Sequence, residues 1–205
     1  IDYYGKWKAL HYKVKESFAP IIVSHEFIED DLQITVVSDL ITAYKGSLSI
    51  TLSEFKGIEK ILSWNQEVNL APNESKVVLT IPKEGLPQAE NQLYSYLQLT
   101  LNDENGIRTS KNIYFKPFKE ILLPRPNLSF QAECDKSNIL YLTVKSDHFA
   151  RGVYVTCASN NNFSDNFFDM PINGKKTISI QLDPLSDVDT IIRSIQVRSL
   201  WDSMR

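Results

Sequence analysis

From Ile21 onward the apolar residues of this chain recur at every second position. That period sends successive side chains to opposite faces of the backbone, so it builds half-buried strands and excludes a helical bundle. SLSITLSEF is the cleanest case, with Leu48, Ile50 and Leu52 on one face. IIVSHEFI (21–28), LQITVVSD (32–39), KILSWNQEVNL, SKVVLTIP (75–82), LYSYLQLTLND and RTSKNIYF read the same way. Turn signals separate them: Glu29-Asp30-Asp31, Pro72-Asn73, a Gly85/Pro87 loop, and the hairpin sequence DENG with Gly106 at its left-handed position. About seven strands at this spacing suit a β-sandwich. KPFKEILLPRPNLSF follows, where Pro117, Pro124 and Pro126 stiffen a short linker. LSFQAEC, NILYLTVKS, RGVYVTCAS, KTISIQL and IIRSIQVRSL then supply strands for a second, smaller sandwich, with a tight turn at Asn173-Gly174.

Before Pro20 the period is 3.6. IDYYGKWKALHYKVKESFAP reads as a helix with Trp7, Leu10, Val14 and Phe18 on one face and His11 beside them. Lys6 and Lys13 flank that stripe on one side, Lys8 and Lys15 on the other, and Ala9, Tyr12 and Glu16 lie opposite. Pro20 ends the helix by disfavouring helical geometry at Ala19. So short a helix is marginal alone in water, so its stripe needs a partner. The first sandwich or a neighbouring molecule is the expected one. No further helix of useful length is expected.

The remaining residues point to no reaction. Net charge is −3, which gives no footprint for nucleic acid, and no apolar run is long enough to span a membrane. The chain starts at Ile1 with no secretory leader pattern, which is expected of a processed terminus or a cut through a larger protein. Cys134 and Cys157 are in phase with apolar neighbours, which favours two buried free thiols over a disulfide across a sandwich. His11, His25 and His148 have no second ligand at metal spacing. Glu29-Asp30-Asp31 and Asp103-Glu104 are carboxylate clusters of the kind glycosidases use, but both sit in turns, where solubility explains them. NNNFSDNFFD has the Asn/Asp density of a calcium loop without its spacing or closing Glu; a turn followed by a strand with packed Phe163, Phe167 and Phe168 is the favoured reading. Trp64, Trp201 and several tyrosines are candidates for a sugar-stacking platform, although an aromatic in a strand is more often core. No catalytic, cofactor-binding or metal-ligating residues are assigned.

Four stretches nevertheless carry a resemblance. Tyr4, Gly5, Trp7, Lys8, Leu10, His11 and Tyr12, followed by Phe18-Ala19-Pro20, resemble the segment that closes the catalytic barrel in β-mannosidases of glycoside hydrolase family 2. Val37-Ser38-Asp39-Leu40 is similar to that family's first-sandwich pattern, FSDNFFD (Phe163 to Asp169) to a hairpin of its last immunoglobulin-like domain, and IQVRSLWDSMR to its C-terminal strand and tail. The four occur in the family's order. The resemblance implies an all-β fold of two tandem immunoglobulin-like β-sandwiches preceded by one short N-terminal α-helix. Residues 1–19 would be the terminal helix left over from a (β/α)8 barrel, 20–117 the first sandwich, 118–127 the Pro-rich linker and 128–205 the second sandwich.

The resemblance also implies a parent that hydrolyses terminal, non-reducing β-D-mannose residues with retention, using two glutamates upstream of Ile1. This region would then be a non-catalytic scaffold without cofactor. Its partner would be the missing barrel, met through the barrel-facing stripe Trp7, Leu10, Val14 and Phe18. Two alternatives stand beside that reading: a carbohydrate-binding module for mannan or a mannose-containing N-glycan, and a protein-interaction or oligomerisation module. A periplasmic or extracellular location is expected if the source is bacterial.

Overall fold

The structure is a computed structural model that describes residues 1–3, 5–57, 60–159 and 161–203. Tyr4, Asn160, Met204 and Arg205, which belong to stretches singled out above, lie outside the described residues. The chain divides into two compact units: Glu16–Leu122, and Leu123–Arg205 together with Ile1–Lys15.

The first unit is a sandwich of two antiparallel sheets. One has the order β1-β2-β5, from β1 (Ile21–Ile28), β2 (Asp31–Ser38) and β5 (Ser75–Ile81). The other has the order β4-β3-β6-β7, from β3 (Tyr44–Glu54), β4 (Lys60–Leu70), β6 (Ser95–Asp103) and β7 (Gly106–Tyr114). The seven strands match the seven period-2 runs. Strict alternation along β2 buries Leu32, Ile34 and Val36, and Leu48, Ile50 and Leu52 meet them from β3 in one core. A one-residue slip would turn each of these sets out to water, so the pattern itself specifies the register. Turn chemistry agrees with it. Glu29 and Asp30 both take positive φ in the two-residue β1–β2 turn, and Gly106 has φ +100 in the β6–β7 hairpin.

The acidic clusters work as turn chemistry. Asp30 pairs with Lys83 at 2.6 Å, Asp31 accepts from the Lys83 amide at 3.0 Å, and Asp103 pairs with Arg108. That pairing holds the Asp103 carboxyl below its ordinary range, as a satisfied turn carboxylate requires.

His25 on β1 is half-buried, and its Nδ1 is buried without a hydrogen-bond partner. Burial, then the charge of Lys111 on β7, lowers its pKa from the ordinary value. The unfolded chain therefore binds the proton more tightly than the folded unit does. Stability is full above about pH 6.5 and declines as pH falls toward the folded-state value. Thermal melts between about pH 7.5 and 5 should show this slope, and His25→Phe should flatten it. A slope unchanged in that variant would mean that another group carries it.

The second unit pairs the sheet β8-β9-β12 with a sheet of order β11-β10-β13. Its strands are β8 (Leu128–Cys134), β9 (Ile139–Ser146), β10 (Ala150–Thr156), β11 (Phe168–Met170), β12 (Lys175–Gln181) and β13 (Gln196–Arg198). Leu140, Leu142, Val144, Val153, Phe168, Ile178 and Ile180 fill the core between them. The all-β reading with two immunoglobulin-like sandwiches and a short N-terminal helix holds.

One stretch differs from the reading. IIRSIQVRSL is not a single strand, and the expectation of no further helix fails. Val188–Ser194 forms helix α2, and only Gln196–Arg198 pairs. Asp187 starts the helix: Oδ1 accepts from the Thr190 amide at 3.2 Å and Oδ2 from its hydroxyl at 2.7 Å. Ile191 and Ile195, four apart, then bury on one side. The β-branched run looked like strand because a short apolar run carries no period of its own. Both cysteines are free and half-buried against this core, and burial pushes the Cys157 thiol up, so it is an unreactive packing residue.

Candidate functional site

Two of the stretches singled out by resemblance, the N-terminal segment and FSDNFFD, meet at one place in the second unit. Its base is Asn166, whose side chain behaves as a piece of strand backbone. The Val155 amide donates to Asn166 Oδ1 at 2.8 Å, and Nδ2 donates to the Val155 carbonyl at 2.9 Å. β10 and β11 pair irregularly, from Ala150–Met170 to Val153–Phe168, and the buried amide continues the ladder beyond them. The loop before it is fixed to β12: the Ser164 amide donates to the Ser179 carbonyl at 2.7 Å, and the Ser179 amide to Ser164 Oγ at 2.9 Å. Phe163 and Phe168 go into the core, but Phe167 does not. It takes φ +59, which turns its ring out to stack on Tyr154 with centroids 5.7 Å apart. The expected turn followed by a strand is found, but the strand holds only Phe168 of the three phenylalanines: the loop reverses at Phe167 and becomes β11 at Phe168.

The N-terminal segment docks on this loop. Helix α1 spans Ala9–Ser17. Tyr12, 3% exposed, is its buried residue. Its ring meets Phe167 at 5.9 Å and Trp7 at 5.4 Å, and its hydroxyl donates to the Phe163 carbonyl at 3.4 Å. Burial raises the Tyr12 pKa and the Asp165 charge adds to it, so the phenol stays protonated as a donor. The Trp7 amide donates to Asn162 Oδ1 at 2.8 Å, Asn162 Nδ2 to the Gly5 carbonyl at 3.4 Å, and Lys15 Nζ to the Ser164 carbonyl at 3.1 Å.

This arrangement corrects two expectations. The expected partner is the first sandwich or a neighbouring molecule; Tyr12 instead seats the helix on the second sandwich's loop. It is held by Tyr12, on the side assigned to the polar face, rather than by the apolar stripe. Trp7 precedes the first helical turn, so the wheel that grouped it with Leu10, Val14 and Phe18 does not apply to it. Trp7 is half-buried, its ring 4.1 Å from that of His11, whereas Leu10, Val14 and Phe18 are 75%, 42% and 84% exposed. The docking residues Tyr12, Asn162 and Asn166 were missed because an Asn in a polar loop and a Tyr among lysines have the pattern of surface.

Among the described residues no reactive constellation forms. His11 stacks on Trp7, His25 lies on β1, and His148 Nδ1 donates to Asp147 at 2.9 Å. Among the described residues no three His, Cys, Asp or Glu side chains cluster as metal ligands. Asp165, the carboxylate of the calcium-like stretch, pairs with Lys176. Trp64 is half-buried against the first core, while Trp201 belongs to the second unit with Arg125 stacked 5.1 Å from its ring.

Comparison with known proteins fits this geometry. Residues 30–120 match the family described as a mannosidase Ig/CBM-like domain, and residues 123–203 match the Ig-fold domain family named for mannosidases. β-Mannosidase A of Neosartorya fischeri is 25% identical over 219 residues, and that of Emericella nidulans 28% over 222; each alignment covers 98% of this chain and 23% of the relative. The fold is shared with the crystal structure of a β-D-mannosidase from Dictyoglomus thermophilum, with a TM-score of 0.81 and 21% identity over 97% of this chain and 24% of that one. An exo-chitosanase from Amycolatopsis orientalis has the fold at a TM-score of 0.65 and 12% identity, over 97% of this chain and 27% of that one. The chain spans about a quarter of the length of these relatives. Its two sandwiches are thus a mannosidase Ig/CBM-like domain followed by an Ig-fold domain, the immunoglobulin-like region of β-mannosidase-like proteins of glycoside hydrolase family 2.

Proposed function

We propose that this region is the non-catalytic scaffold of a retaining β-mannosidase and that α1 is its joint to the catalytic barrel. The observation that carries the proposal is the two-sidedness of α1. Tyr12 holds the helix from below, while Leu10 and Val14 are left exposed on it and Phe18 is left exposed just past its end. An exposed apolar stripe on an anchored helix is a surface prepared for a partner. Burying each such side chain stabilises the contact by roughly 1.5–3 kcal/mol. The barrel of the whole protein is the partner, and it brings the paired carboxylates that cleave terminal β-D-mannose. Retention needs those two groups about 5–5.5 Å apart.

Purified on its own, this region should show no turnover of an aryl β-mannoside. In the full-length protein, Leu10→Asp with Phe18→Asp should lower the melting temperature and activity together, because two carboxylates would then face an apolar contact. Turnover by the isolated region, or a full-length double variant indistinguishable from wild type, would sink the proposal.

A further inference from the structure

We propose that the open end of the β8-β9-β12 sheet is a binding site for an anionic sugar, a pyranose bearing a carboxylate or a phosphate. The site lies wholly within the second unit, on residues that play no part in the docking of α1. Lys145 on β9 and Lys175 on β12 are direct register partners, and Ser129 on β8 stands opposite Lys145 on its other side. Val144 and Leu142 alternate into the core, so Lys145 projects outward with Lys175 beside it. Like charges directly opposite on a sheet repel. Among the described residues neither lysine has a carboxylate partner. An oxyanion between the two ammonium groups turns that repulsion into attraction.

The walls around the pair are built. Asp147 also lines the groove, but its charge is already committed. Oδ1 accepts from the Asn127 amide at 2.8 Å and from His148 Nδ1 at 2.9 Å, and Oδ2 accepts from Asn127 Nδ2 at 2.6 Å. These donors hold the Asp147 carboxyl well below the usual range, so it stays a wall anion rather than a ligand. On the opposite side the Ser146 amide donates to the Gly174 carbonyl at 3.1 Å and the Gly174 amide to the Pro171 carbonyl at 3.0 Å. That turn is tight enough that a Cβ on Gly174 would fall 2.7 Å from the Pro171 carbonyl oxygen.

The groove encloses about 520 Å³. That is within the size of small-molecule sites, roughly 300–1,000 Å³, and far more than a bare oxyanion fills. Asn127, Ser129 and Asn173 bring amide and hydroxyl groups to a lining that is otherwise mostly apolar, with Leu128 in it. The C–H face of a pyranose packs on the apolar part, its hydroxyls reach the amide and hydroxyl groups, and its acid group uses the lysines.

The test is a titration of the whole chain with glucuronate, glucose 6-phosphate, glucose and inorganic phosphate, followed by calorimetry and NMR. Glucuronate or glucose 6-phosphate should bind and weaken with added salt, and the tighter of the two names the acid group; glucose should not bind. Lys145→Gln with Lys175→Gln should weaken binding roughly tenfold or more, the scale of a lost charge-assisted hydrogen bond. Its melting temperature should not fall, since both side chains are exposed. Lys45→Gln, on the first unit, should change nothing. Absence of binding at millimolar concentration, equal binding by glucose, or an unaffected double variant would overturn the site. Inorganic phosphate binding as tightly as the sugar phosphate would overturn the sugar.

Discussion

Asn166→Ala should be among the most destabilising single substitutions in the second unit, at about 2–6 kcal/mol. The amide is buried and bonds both backbone groups of Val155, at 2.8 and 2.9 Å. Alanine leaves that N–H and that carbonyl without partners, and an unsatisfied buried polar group costs about 1–3 kcal/mol. It also removes the acceptor of the Phe167 amide, 3.1 Å away, which helps to hold Phe167 in its left-handed conformation. A domain is stable by only about 5–15 kcal/mol, so the loss is a large share of the total. The melting transition of the second unit should fall by at least ~8 °C, given about 4–8 °C per kcal/mol for a domain of this size. Asn166→Asp keeps the acceptor and, while protonated, one O–H donor, so it should lie between wild type and alanine at low pH and approach alanine as ionisation removes that donor. A drop of only a degree or two for the alanine variant would show that water or a shifted backbone can replace the amide.

Tyr12→Ala should have a comparable effect with a different signature. Truncating a buried aromatic costs about 3–5 kcal/mol when the rest of the structure cannot collapse around the gap. Here it removes ring contacts to Phe167 and Trp7 and the hydroxyl donated to Phe163. The sandwich beneath α1 has its own core, however, so the loss is limited to the free energy that docks the helix. A nine-residue helix does not persist without that docking. Hydrogen exchange and limited proteolysis should report residues 5–17 released while the strands of both units keep their protection. Tyr12→Phe keeps the ring and should stay docked. Global unfolding of the second unit in Tyr12→Ala would mean that the helix is part of its core rather than attached to it.

Most of the strand content was legible in the sequence because it rests on local physics. The alternation of Leu32, Ile34 and Val36, or of Leu48, Ile50 and Leu52, puts one face of each strand in a core whatever its neighbours are. The turns at Glu29-Asp30, Asn73, Asn105-Gly106 and Asn173-Gly174 were equally visible, since residues that tolerate positive φ or cap a turn advertise it locally. The start of α2 was visible in principle, because Asp187 followed by Thr190 is a cap, but the apolar run after it has no readable period.

What the sequence by itself determined is therefore the alternation, the turns and the order of elements, along with the absence of any motif for a reaction. Tertiary structure decided which side of α1 is buried and which segment it meets. A wheel ranks the faces of a helix by apolarity, and by that measure Leu10, Val14 and Phe18 should have been inside. The hydrogen bonds of Asn162 and Asn166 and the outward turn of Phe167, some 150 residues downstream, instead make a receiving surface for Tyr12. Such contacts depend on directional bonds between distant groups and leave no periodic trace. The same reason hid the Lys145–Lys175 pair, which becomes a pair only once β9 and β12 lie in register.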